Sequence, residues 1–247
     1  MGLQKTYFLL SLLFLSLTVR AQKEIPVLCY HQVRDWNAGD SKSAKAYIVP
    51  VERFRQHMKM LRDSGYHVIL PDQLLRYLSG GTSLPSKPIL ITFDDGTDSQ
   101  YMNALPELQK YQFGATFFIM TVTLDRPRYL SRKQVKELSD KGHVIGCHTW
   151  DHHNVTGYKA DDWNTQLTKP TMLLEQITGT QVKYFAYPFG AWDTRAISEL
   201  KKHKYLAAFQ LTGKKNTLSP LFTIRRLIAS GYWSAKELDA AIKKTFK

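Results

Sequence analysis

From residue 25 onward, short apolar runs alternate with longer amphipathic segments. The runs at 25–30, 67–70, 89–93, 115–119, 144–147, 184–187, 206–210 and 222–226 are rich in β-branched and aromatic residues. Each is too short for a helix and reads as a strand. Between them, Phe54, Met58 and Leu61 fall at helical spacing, and Gly65 stops that helix. Further helices are predicted at 72–78, 104–111, 161–178 and 194–203. Ser131 with Gln134 forms a capping box for a helix running to 141, and Ser234 with Glu237 opens a last one. The polar stretch 32–47 has no such period and reads as a functional loop; 80–85 reads as a surface loop. Strands alternating with helices over the whole length predict a parallel sheet with crossover helices, either a barrel or a doubly wound sheet. No linker or composition shift divides the chain, so residues 22–247 are expected to form one α/β domain.

The first residues follow a different pattern. Lys5 precedes an almost unbroken apolar run, 7–19, and Val19-Arg20-Ala21 resembles a cleavage site. Residues 1–21 therefore read as a secretory signal peptide, too short to span a bilayer comfortably. The expected protein is exported, to a periplasm or the cell surface, with no membrane span in the mature chain. The formal charge of +13 is spread along the sequence, with pairs such as Lys201-Lys202 and Lys243-Lys244 but no base-reading helix. It suits an anionic envelope better than nucleic acid, which is not expected as a partner. Of the two cysteines, Cys29 and Cys147, both are expected as buried thiols.

Candidate chemistry begins where the strand 89–93 ends on adjacent carboxylates, Asp94 and Asp95, followed by Gly96. Such a triplet makes a turn in many chains, but in α/β folds the C-terminal ends of strands also carry the chemistry. A second strand, 144–147, runs into His148-Thr149-Trp150-Asp151-His152-His153. Histidines at i and i+4 can converge on one ion, and two imidazoles with one carboxylate leave open positions for water and substrate. A bound divalent ion would polarise a carbonyl and acidify water, while a second carboxylate takes a proton. One aspartate for the metal and one for the proton explains why two stand together. Zinc is the ordinary ion for such a set.

Thr92-Phe93-Asp94-Asp95-Gly96 together with His148-Thr149-Trp150-Asp151-His152 resembles the polysaccharide deacetylases, the NodB-homology carbohydrate esterases. The likeness extends over about 25–230 and implies a distorted (β/α)7 barrel. It implies Asp94 as catalytic base and Asp95, His148 and His152 as metal ligands, with His153 as the alternative second histidine. The third motif of the family has an arginine where this chain has Ala186, in Ala186-Tyr187-Pro188-Phe189-Gly190. Arg225 or Arg226 would have to supply that charge, and Arg226 is preferred. The family's late histidine is missing too, but Leu28-Cys29-Tyr30-His31-Gln32-Val33 resembles a circularly permuted branch that includes deacetylases of poly-β-1,6-N-acetylglucosamine. In a closed barrel the first and last strands are neighbours, so His31 is implied as the general acid.

The expected activity is therefore metal-assisted removal of N-acetyl groups from an N-acetylglucosamine polysaccharide by a monomer. A backbone N–H near Tyr187 is expected to meet the oxyanion, and Trp150 and Trp192, beside the motifs, to line the sugar groove. A catalytically silent glycan-binding protein and an O-acetyl esterase with the same site are the alternatives. A non-haem iron oxygenase also uses two histidines and a carboxylate, but the extra aspartate and the parallel α/β pattern disfavour it.

Overall fold

A computed structural model describes residues 24–246; the signal-peptide reading of 1–21 lies outside them. Its frame is an eight-stranded parallel sheet, of which seven strands form a curled path: β1 (Val27–Tyr30), β2 (Pro88–Phe93), β3 (Thr116–Ile119), β4 (Val144–Cys147), β5 (Tyr184–Ala186), β6 (Ala207–Phe209) and β7 (Leu227–Ile228). The eighth, the short strand His67–Val68, pairs only with the start of β2. The seven lie side by side in the order β7-β1-β2-β3-β4-β5-β6. The sheet curls until its ends meet. Ile224 bridges β6 at Phe209, and three residues later Leu227 pairs with Leu28 of β1, so residues 224–228 run between the first and last strands. This is the distorted (β/α)7 barrel that the sequence motifs implied.

The two-residue period of each strand sorts its side chains. Leu28, Tyr30, Ile91, Phe93, Phe117 and Ile119 point outward into the layer beneath the helices. Val27, Leu90, Phe118, Ala186, Phe209 and Ile224 fill the barrel interior. Space there is tight. A Cβ on Gly146 would lie 2.5 Å from the Phe118 ring, so only glycine fits on β4 at that level. The same alternation carries Cys29, Thr92 and Asp94 to the inner face, where polar groups replace apolar ones towards the C-terminal ends of the strands.

Eight α-helices occur among the described residues. In chain order they are α1 (Lys42–Tyr47), α2 (Val51–Asp63), α3 (Pro71–Leu78), α4 (Leu105–Lys110), α5 (Arg132–Asp140), with the Ser131–Gln134 capping box, α6 (Lys169–Thr178), α7 (Thr194–Lys202) and α8 (Ala235–Thr245), which packs against α2. Three expectations change in detail. The polar stretch 32–47 contains α1 (Lys42–Tyr47), which buries none of its residues and so leaves no apolar period to read. The helix expected at 161–178 opens with a π-helical turn, Asn164–Thr168, before α6. The strand expected at 222–226 starts late, because Pro220–Phe222 forms a 3-10 turn and Leu227–Ile228 makes the ladder. Among the described residues no helix is long and apolar enough to cross a membrane.

Two histidines are built into this frame as neutral groups. His57 of α2 has Nε2 2.8 Å from the Trp233 carbonyl, so that nitrogen donates, and Nδ1 accepts from the Tyr30 hydroxyl at 3.2 Å. His143 accepts the Ala115 N–H on Nδ1 at 3.1 Å. Burial pushes each down to about 4, aided by Arg53 near His57 and Lys141 near His143. Below the ordinary histidine value of 6.5 the unfolded chain takes up protons that the folded chain refuses. Their contribution is thus complete above that value and disappears as the pH falls towards 4. The expected loss is roughly 3 kcal/mol per histidine. Urea midpoints measured at pH 7.5 and 4.5 check this, and a midpoint unchanged across that interval would contradict it.

Candidate functional site

At the C-terminal end of the barrel, β2 delivers Asp94 and Asp95, and β4 delivers His148. Asp95 and Gly96 both turn at positive φ, 73° and 72°. In the next loop Thr149 and His152 do the same at 66° and 67°, and Phe189 follows at 60°. Non-glycine residues in this region cost roughly 1–3 kcal/mol each and persist where surrounding structure holds them. Three of them, Asp95, His152 and Phe189, line one cavity, where backbone comfort yields to side-chain aim.

The result is a convergent donor set. Asp95 Oδ1 lies 3.6 Å from His148 Nε2 and 3.7 Å from His152 Nε2, and one donor atom from each residue falls within 4.8 Å of the others. His148 Nδ1 lies 2.7 Å from the Ala186 carbonyl, which only an N–H can satisfy, so the Nε2 lone pair turns into the cavity. Burial, and then the neighbouring His148, push His152 down to about 4, which keeps its imidazole neutral. Two imidazole nitrogens and a carboxylate oxygen, with the rest of the sphere open to the cavity, fit a divalent cation. His153 is turned away: its side chain is 75% exposed and its Nδ1 meets Asp151 at 2.7 Å.

Asp94 sits behind this group, buried and held by Arg226. The guanidinium donates from both terminal nitrogens to Oδ1 and Oδ2, at 2.6 and 2.7 Å. It also donates to Thr92 Oγ1 and the Gln210 carbonyl. Burial alone would raise the Asp94 carboxyl, but Arg226, followed by His148, holds it well below the usual carboxylate range. Arg225, one residue earlier, points the other way and pairs with Glu24. The charge missing at Ala186 is thus supplied by Arg226, and Ala186 serves through its carbonyl.

His31, at the end of β1, faces the same cavity of about 340 Å³ as Asp94, Asp95, His148, His152 and Arg226. Its ring packs edge-on against Tyr47, and its Nδ1 lies 4.0 Å from Cys29 Sγ, whose thiol donates to Asp94 Oδ2 at 3.4 Å. Burial holds its pKa below the ordinary histidine value, an effect that Asp95 and Asp94 offset only in part. Gln100 ties the two strand ends together by donating to the His31 carbonyl at 2.8 Å and the Asp94 carbonyl at 2.6 Å. It belongs to the π-helical turn Gln100–Ala104. No motif in the sequence singles it out. Cys29 and Cys147 are both buried free thiols.

The aromatic expectations fare differently. Tyr187 lines the cavity, but its N–H is donated to the Phe209 carbonyl at 3.0 Å within the sheet and is not free for an oxyanion. Trp192 is absent from the cavity wall: its indole packs on the core and donates to Gln210 Oε1 at 2.9 Å. Trp150, 40% exposed, faces a neighbouring cleft instead. Phe189, 65% exposed and edge-on to His152, borders the cavity together with Tyr47. An apolar groove of about 500 Å³ lies beside the start of β1, where Glu24 is already held by Arg225 and Lys215. It carries no comparable donor set.

Residues 81–208 match the family model described as polysaccharide deacetylase. The Bacillus subtilis (strain 168) protein YxkH is 29% identical over 182 residues, covering 74% of this chain and 62% of its own length. A Staphylococcus aureus (strain MRSA252) poly-beta-1,6-N-acetyl-D-glucosamine N-deacetylase is 28% identical over 212 residues, 77% of this chain and 73% of that protein. The Escherichia coli (strain K12) protein of the same name is 26% identical over 87% of this chain, which spans only 38% of it. In fold, the chain is similar to the Streptococcus pyogenes deacetylase PplD, solved in complex with acetate. The TM-score is 0.80 at 24% identity, over 91% of this chain and 98% of that one.

Proposed function

Since this chain belongs to the polysaccharide deacetylase family, we propose that it hydrolyses N-acetyl groups of an N-acetylglucosamine polysaccharide with the aid of one divalent cation. The observation that carries this reading is the meeting of Asp95, His148 and His152 beside the Asp94–Arg226 pair, with His31 in the same cavity. Asp95, His148 and His152 would hold the ion, and zinc suits their nitrogen and oxygen donors. When bound, the ion supplies Lewis acidity to the acyl oxygen and acidifies water.

The chain's own residues do the rest. Asp94, kept ionised by Arg226, is in the form that accepts a proton from the attacking water. His31 delivers a proton to the amine nitrogen as the C–N bond breaks, leaving acetate and a glucosamine unit. Gln100 holds the backbone beneath both groups, fixing the separation between acid and base. Phe189 and Tyr47 border the opening, where apolar ring faces suit a sugar. Export by the leader 1–21 would place this chemistry among envelope or extracellular glycans.

The test is acetate release from a panel of β-1,6- and β-1,4-linked N-acetylglucosamine oligomers and an O-acetylated sugar, in added zinc. Release from the N-acetylated oligomers is expected. Release from the O-acetyl ester alone would make the protein an esterase, and none from any substrate, with glycan binding intact, would make it a binding protein.

A further inference from the structure

The 148–152 loop has two sides. His148 and His152 face the catalytic cavity, whereas Trp150 walls a second cleft of about 590 Å³. We propose that this second cleft binds an acidic sugar of the glycan, one carrying a phosphate or carboxylate oxyanion, next to the acetylated unit. The proposal rests on the deacetylase reading for the identity of the chain that continues into it.

The cleft's charge is one-sided. Arg126, Arg132 and Lys169 line it and no carboxylate does. Arg132 is shared with Asp125 at 3.4 Å, whereas Arg126 and Lys169 have no acidic partner among the described residues. Cations left facing one space repel each other until an anion enters, and a guanidinium fork matches an oxyanion's geometry. Thr121 also lines the cleft. It is only 6% exposed, yet its hydroxyl has no hydrogen-bond partner.

Trp150 is positioned as a platform. Its backbone N–H donates to Gln166 Oε1 at 3.2 Å and its backbone carbonyl accepts the Val122 N–H at 2.9 Å, so the main chain beneath the exposed indole is held from both sides. No more than about 8 Å separates its Cα from that of either histidine. The short loop therefore brings the two clefts within the span of one oligosaccharide.

The experiment titrates the protein with N-acetylglucosamine 6-phosphate, glucuronic acid, neutral N-acetylglucosamine and inorganic phosphate, following indole fluorescence and the Trp150 indole resonance. The acidic sugars are expected to bind about tenfold or more tightly than either neutral sugar or phosphate alone. The relative affinity of the two acidic sugars identifies which oxyanion the cleft prefers. The double variant Arg126→Gln/Lys169→Gln is expected to lose that advantage with its unfolding midpoint unchanged. Equal binding of neutral and acidic sugars, phosphate alone binding as tightly, or an advantage that survives in the double variant would each overturn the proposal. Because binding is read without acetate release, acidic-sugar binding by a protein that releases no acetate would sink the hydrolase reading and leave the cleft standing.

Discussion

Asp94→Asn is expected to lower acetate release by about 10²–10⁴-fold, the range spanned by general acid–base catalysis, while the protein still binds its divalent cation. His148→Ala is expected to lose both. The contrast follows from where the two side chains point. Asp94 gives both oxygens to Arg226, whereas His148 fixes Nδ1 on Ala186 and leaves Nε2 to the donor set with Asp95 and His152. Asparagine keeps the shape of the aspartate and removes its ability to accept a proton. Metal content by elemental analysis, measured beside turnover, checks the pair. Equal loss of metal in both variants would mean that the roles of base and ligand are wrongly divided.

Arg226→Met is expected to be the most damaging single change. The guanidinium is fully buried and spends its donors on Asp94, Thr92 and Gln210. Removing it leaves a buried carboxylate without a counter-charge, at a cost of about 3–5 kcal/mol. That is a large share of the roughly 5–15 kcal/mol that stabilises a typical domain. Turnover should fall with it, because Asp94 would shed its charge by taking a proton and could no longer accept one. Arg226→Lys restores the charge but not the two-pronged contact, and is expected between Met and wild type. The double variant Asp94→Asn/Arg226→Met should recover much of the stability and none of the activity, since it removes both charges together. Urea denaturation with turnover assays checks the series. A wild-type midpoint in Arg226→Met would contradict the role given to the pair.

How far the sequence revealed the site depends on how each residue reaches it. Asp94, Asp95, His148 and His152 lie in two short motifs at strand ends, and a strand end fixes position and direction at once. Arg226 was legible only as one of two adjacent arginines near a late strand. The two-residue alternation decides between them by sending Arg226 inward and Arg225 out to Glu24. Gln100 gave no signal, because its role depends on a π-helical turn that brings its amide under two strand ends. Trp192 lies off the cavity wall, because nearness in sequence to Tyr187-Pro188-Phe189-Gly190 says nothing of where an indole packs, and Gln210 takes its N–H. The barrel was readable from the alternation of strands and helices together with the motifs. Its closure was expected on the family resemblance alone, since residues 224–228 contact β6 and β1 through only a few backbone bonds.

The central claim is that one divalent cation, held by Asp95, His148 and His152, is what makes the cavity a hydrolase. Calorimetric titration of zinc into chelator-treated protein, with acetate release assayed on the same samples, tests it most directly. The expected result is a single tight site per chain, with activity rising in proportion until one equivalent is bound. Full acetate release from protein stripped of metal, or a tight site that survives His148→Ala, would contradict it.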